Sequence, residues 1–113
     1  ILTYKRIKND YTDCHTGKID NHVGKTVSMD RSKVTYNPKV TCASGLHVCS
    51  YSYLGHFGGA RLVVCEVEPH DVVSVPVDYN YAKMRCCKYK VIEEITDTKG
   101  DVLSTRSSMV YLS

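Results

Sequence analysis

The stretch ARLVVCEVE, residues 60–68, constrains the fold more than any other part of the chain. Its apolar residues run unbroken from Leu62 to Cys65. Successive side chains of a strand point to opposite faces, so such a run is apolar on both. It predicts the strongest strand of the molecule, placed centrally in a sheet.

The other elements are read around it. Residues 2–8 alternate apolar and polar and predict a strand. Residues 9–25 are rich in Asn, Asp and Gly and read as turns. Residues 25–29 form a short strand, and 30–44 a loop with a turn at Asn37-Pro38. GLHVC, 45–49, is an apolar strand entered through a glycine. SYSYLGHF, 50–57, reads as a short helix, with Ser50 as N-cap and Gly58-Gly59 as its end. PHD, 69–71, is a turn. Residues 72–77 are extended, and Pro76 restricts them to an edge or a strand end. Residues 78–82 form a turn or short helix. KMRCCKYKVIEEI, 83–95, reads as one long strand on which Lys88 and Lys90 share a face with Met84 and Cys86. Residues 97–101 suggest a hairpin turn, and the end of the chain pairs beyond it or trails. The expected fold class is α+β. It is one small domain, a mostly antiparallel or mixed β-sheet with one or two short helices. Residues 1–95 are its body and 96–113 a hairpin or tail extension.

Composition narrows the function classes. The 113 residues are 42% hydrophobic and 24% charged, as in an ordinary globular domain. No stretch approaches the ~18 apolar residues that a membrane-crossing helix needs. No signal-peptide pattern opens the chain, and a start at Ile1 reads as a trimmed fragment. A net charge of +3, evenly spread, gives no strong nucleic-acid signal. Six cysteines would permit a disulfide framework. Cys49, Cys65 and Cys87 lie in apolar strand patterns, however, so buried reduced thiols in a cytosolic protein are expected. Cys86 and Cys87 point to opposite faces of a strand and are not expected to bond each other.

Several constellations could carry chemistry. Cys42, His47, Cys49 and His56 are zinc-ligand types, but no C-x2-C knuckle organises them. A small zinc-stabilised module is therefore a minor alternative. Cys14-His15 is a thiol–imidazole pair in a polar loop, yet adjacent residues seldom face each other. Tyr79, Asn80, Lys83 and Arg85 gather in a loop and at a strand start, where aromatic, amide and basic groups can meet a ligand. A satisfied core histidine is the bland reading of His47, and a tyrosine-anchored turn that of 77–85.

Three strings, DYTDCHTGKIDNHVGKTVSM, TCASGLHVCSYSYLGHFG and DVVSVPVDYNYAKMRCCKYKVIEE, closely resemble the C-terminal domain of the rIIB family of lysis-control proteins of T-even bacteriophages. The resemblance covers roughly residues 4–95. It implies an early phage protein in the cytoplasm of the infected bacterium, associated with the inner membrane. It implies a role in lysis inhibition and in protection from prophage exclusion, together with a protein partner, either an rIIA-like phage protein or a host factor. It supplies no biochemical activity for this domain.

A second, weaker resemblance is to the ADP-ribosyltransferase fold. His15 after the first strand would bond the NAD ribose, and His47 in Gly-Leu-His-Val would line the nicotinamide pocket. The usual late glutamate is missing, and Arg85 is the nearest charged residue. That departure is similar to the two-histidine clade of tRNA 2′-phosphotransferases, with Arg61 and Arg85 as stand-ins for phosphate-binding arginines. The leading expectation is a protein-interaction domain with exposed apolar or tyrosine patches, without a cofactor. The rival is an NAD- or nucleotide-binding domain, active or degenerate, whose enzyme status the residues leave open. The candidate ligand-binding residues are His15, His47, Tyr53, Tyr79, Lys83 and Arg85; no catalytic or metal residue is assigned.

Overall fold

The computed structural model describes residues 1–40, 44–50, 60–75 and 83–95. Among them are seven strands: β1 (Leu2–Ile7), β2 (Thr26–Ser28), β3 (Leu46–Cys49), β4 (Arg61–Glu66), β5 (Val72–Ser74), β6 (Lys83–Cys86) and β7 (Lys88–Ile95). They form one sheet in the order β2-β7-β4-β1-β3-β6-β5. Every pairing is antiparallel.

The α+β expectation is corrected by this architecture. Helical structure among the described residues is limited to two 3-10 turns, Arg31–Lys33 and Pro69–Asp71. The described residues form a mostly antiparallel β-sheet, with no helix of seven residues or more among them. The helix expected over 50–57 falls largely outside the described residues, as do 78–82 and the extension 96–113.

The expected single strand over 83–95 is also corrected. Cys87 interrupts it, and the two halves serve opposite ends of the sheet. β6 pairs with β3 and β5, whereas β7 pairs with β4 and β2. One residue separates segments that stand four places apart in the strand order, so the sheet must curl back on itself. The interruption also reverses the side-chain parity. Met84 and Cys86 face the main core, but after Cys87 that face is taken by Tyr89 and Val91. Lys88 and Lys90 are therefore exposed on the opposite side from where simple alternation would put them.

The bend has its own backbone partners. The Cys87 N–H donates to the Asp71 carbonyl at 3.0 Å, and the Cys87 carbonyl accepts from the Met29 N–H at 2.9 Å. Leaving the ladder thus strands neither group.

Both faces of β4 are buried, as its sequence requires. Val63 and Cys65 join Ile7, Leu46, Val48, Met84, Cys86, Tyr89 and Val91 in the main core. Leu62 and Val64 join Tyr4, Cys49 and Ile95 in a second cluster on the other face. Each such side chain is worth about 1.5–3 kcal/mol of burial. Val72–Ser74 lies at the sheet edge, as the nearby proline predicts.

Cys87→Pro removes the donor to Asp71. It is expected to lower stability by about 2 kcal/mol or more, while Cys87→Ala costs much less. Urea denaturation followed by circular dichroism checks the difference.

Candidate functional site

Among the described residues, β1 and β3 share one register pair, Tyr4 with Cys49, whereas β1 pairs with β4 along its whole length. The Lys5 ammonium donates to the His47 carbonyl at 2.6 Å and ties the two strands there. Beside this junction lies a cavity of about 640 Å³. Its walls are Tyr4, Lys5 and Arg6 from β1, and His47, Val48 and Cys49 from β3. Among the described residues, Lys83 from β6, Ser44 ahead of β3, and Asp13, Cys14 and His15 from the turn after β1 make up the rest of the lining.

The turn is shaped by Asp13, which is 4% exposed. Its carboxylate accepts from the Thr16 N–H at 2.6 Å and the Thr16 hydroxyl at 2.7 Å. It also accepts from the Lys18 and Ile19 N–H groups at 3.1 and 2.9 Å. Burial alone would raise this carboxyl, but the hydrogen bonds outweigh it and hold it well below the usual range. Its oxygens are thereby committed to the turn.

Three of the six expected ligand residues, His15, His47 and Lys83, line the one cavity. Tyr53 and Tyr79 lie outside the described residues, as do Cys42 and His56 of the zinc constellation. Arg85 pairs directly across from His47 and so shares its sheet face. Its fully buried guanidinium is aimed elsewhere, however. It donates to the Val40 carbonyl at 2.6 Å, the Asn37 carbonyl at 2.7 Å and the Ser74 hydroxyl at 3.1 Å. Gly45 makes room for it. At a φ of 148°, a Cβ there would stand 2.9 Å from Val34 and 3.4 Å from the Arg85 Cβ.

The His47 imidazole is lowered to about 4, first by burial and then by Lys5, Arg85, Lys83 and His15 around it. It is neutral at neutral pH. Burial pushes the thiols of Cys49, Cys65 and Cys86 up to about 12, which removes them as nucleophiles. Among the described residues, no group of three His, Cys, Asp or Glu is placed to hold a metal ion.

Sequence reading passed over a second polar cluster. Tyr11 has a left-handed φ of 69°, uncommon for a bulky residue. Its hydroxyl donates to Glu94 at 2.7 Å and its ring stacks on His22 at 4.0 Å. Arg61 lies over the same ring at 4.1 Å and pairs with Glu94 at 2.9 Å. These contacts hold the strained turn against β4 and β7, a structural task. Nothing in the spacing of these four residues announces their meeting.

Two predictions follow from these environments. His47 titrates lower when folded than its ordinary 6.5, so the unfolded chain takes up the proton first. The stability is present above about pH 6.5 and is lost as pH falls toward 4, by roughly 2–3 kcal/mol allowing for solvent screening. His47→Gln should flatten that slope between pH 7 and 4.5 in urea titrations. Separately, a thiol reagent should modify exposed Cys14 in the folded protein and reach Cys49, Cys65 and Cys86 only on unfolding. Mass spectrometry of the labelled peptides checks this.

Comparison with known proteins places the chain. No solved structure matches it. The family model described as bacteriophage T4 protein rIIB matches residues 1–104. That range extends the resemblance read over 4–95 at both ends. Protein rIIB of Enterobacteria phage T4 is 49% identical over 96 residues, which is 83% of this chain and 31% of that protein. The chain thus spans about a third of the length of the curated relative it matches. With the family match running from the first strand beyond the last described one, the chain belongs to the rIIB family of bacteriophage proteins.

Proposed function

We propose that this chain acts in rIIB-type control of lysis timing and protection from prophage exclusion, as a module that docks onto another protein. Family membership supports the biological setting. The observation that carries the docking role is the loop over residues 34–40. Buried Arg85 grips it through the Asn37 and Val40 carbonyls. Val34, 4% exposed, anchors its start, and the Thr35 N–H donates to the Ser44 carbonyl at 2.9 Å. On this fixed support Tyr36 is 79% exposed and Val40 42%. A tyrosine on an already ordered loop can bury a large area on a partner with little further loss of conformational entropy.

The partner in this reading is an rIIA-like phage protein or a host factor, in the cytoplasm of the infected bacterium near its inner membrane. Among the described residues no helix is long and apolar enough to cross a membrane. Docking needs neither catalysis nor a cofactor. The transferase-like alternative gains no support from Arg85, whose guanidinium is occupied by the loop.

The test uses the full-length phage protein carrying Tyr36→Ser and Val40→Ser. Neither side chain is buried, so the melting midpoint should move little. Co-purification of the rIIA-type partner from infected cells should fall about tenfold, a central tyrosine contact being worth at least ~1.4 kcal/mol, and lysis should be mistimed. Unchanged capture and unchanged lysis timing would overturn the docking role of this loop.

A further inference from the structure

Among the described residues, the cleft between β1 and β3 is lined by more basic side chains than carboxylates. Lys5, Arg6 and Lys83 line it together with the imidazoles of His15 and His47. Asp13 is the one carboxylate among the described lining residues, and the Thr16, Lys18 and Ile19 groups already saturate it. His47 itself registers the excess, because the surrounding cations help keep it neutral.

A second observation is independent of charge counting. The Nε atoms of Arg6 and Arg85 are both buried donors with no hydrogen-bond partner among the described residues, and of the two it is Arg6 that lines the cleft. A buried guanidinium N–H without an acceptor is costly, and such groups in native proteins call for an explanation. Arg6 lines the cleft, so an acceptor group seated there could meet it. The volume of about 640 Å³ lies within the range of small-molecule sites. Several converging cations match a polyanion better than a single carboxylate, and a guanidinium fork suits phosphate oxygens. By contrast, the smaller depression of about 210 Å³ beside β2 and β7 mixes Glu66, Glu68 and Asp71 with Lys88 and Lys90, so its charges offset one another.

We propose that the cleft between β1 and β3 is a binding site for a small phosphorylated organic molecule of nucleotide size, held by Arg6, Lys83 and His15. The phosphate oxygens accept from the Arg6 guanidinium and the Lys83 ammonium. His15, exposed on the turn at the rim, closes over the ligand from outside. His47 and Tyr4 form the wall. The site borders the docking loop at Ser44, which lines the cleft and whose carbonyl accepts from the Thr35 N–H, but the proposed ligand contacts do not use that loop.

Titration calorimetry on the 113-residue chain tests the site with ATP, inorganic tripolyphosphate and adenosine. ATP and tripolyphosphate should bind, and adenosine should not. Affinity should fall as salt rises, because the contacts are ionic. Arg6→Gln and His15→Glu should each weaken ATP about tenfold or more, by removing one charge-assisted contact or placing a carboxylate at the rim. His15 is exposed, so His15→Glu should keep the wild-type melting midpoint. It decides the matter if Arg6→Gln fails to fold. Three results would each overturn the proposal: no heat with ATP at millimolar concentration, adenosine binding as tightly as ATP, or ATP binding that His15→Glu leaves unchanged.

Discussion

The bend at Cys87 is the constraint on which the rest of the structure depends. A continuous strand over 83–95 could pair with only one neighbour on each side. Broken at one residue, the same segment gives β6 to one end of the sheet and β7 to the other. The curl this imposes encloses the main core, and the shift in parity brings Tyr89 and Val91 into it. The bend is tolerable because Asp71 and Met29 supply the backbone partners that the ladder no longer can. A curled sheet also buries both faces of β4, which a flat sheet left open on one side would not.

The β4–β7 and β5–β6 ladders absorb the curl through register shifts at Val64/Cys65 and Val72/Ser74, while β1 and β3 share one register pair among the described residues, Tyr4 with Cys49. Lys5 ties these two strands through the His47 carbonyl. Beside that junction lies the cleft, walled by residues of both strands. Arg85, opposite His47 on β6, solves a different problem. Its buried charge is met by two loop carbonyls and a hydroxyl, and the loop is ordered in return. The cleft and the docking loop thus draw on neighbouring residues of one β3–β6 wall, with the polar groups divided between them.

Much of the element order was legible in the sequence. The strands over 2–8, 25–29, 45–49 and 60–68 appear close to where alternation and apolar runs put them. The turn at 69–71 and the edge position of 72–74 follow from Pro69 and Pro76. The family was legible as well, since the strings that resemble it lie within the residues that the family model matches. Of the site, His15, His47 and Lys83 stood out as polar residues in turn or strand context, and they do line one cavity. Lys5, Arg6 and Asp13 did not stand out, since a charged residue in an alternating strand or a turn looks like any solvent-facing one.

What the sequence determined by itself is therefore local: which segments extend, which turn, and that β4 must be covered on both faces. Those properties follow from side-chain periodicity and backbone preference over a few residues. The tertiary structure alone decided that 83–95 bends, and with that the sheet order, the faces taken by residues 88–95 and the mostly antiparallel β architecture of the described residues. A single-residue interruption carries no compositional mark, and its effect is realised only when distant partners such as Asp71 and Met29 close around it. The meeting of Lys5 with His47, and of Arg85 with Asn37 and Val40, is likewise a result of strand pairing between segments about forty or more residues apart. Charge, burial and hydrogen bonding at those meetings are collective properties, and no window of the chain contains them.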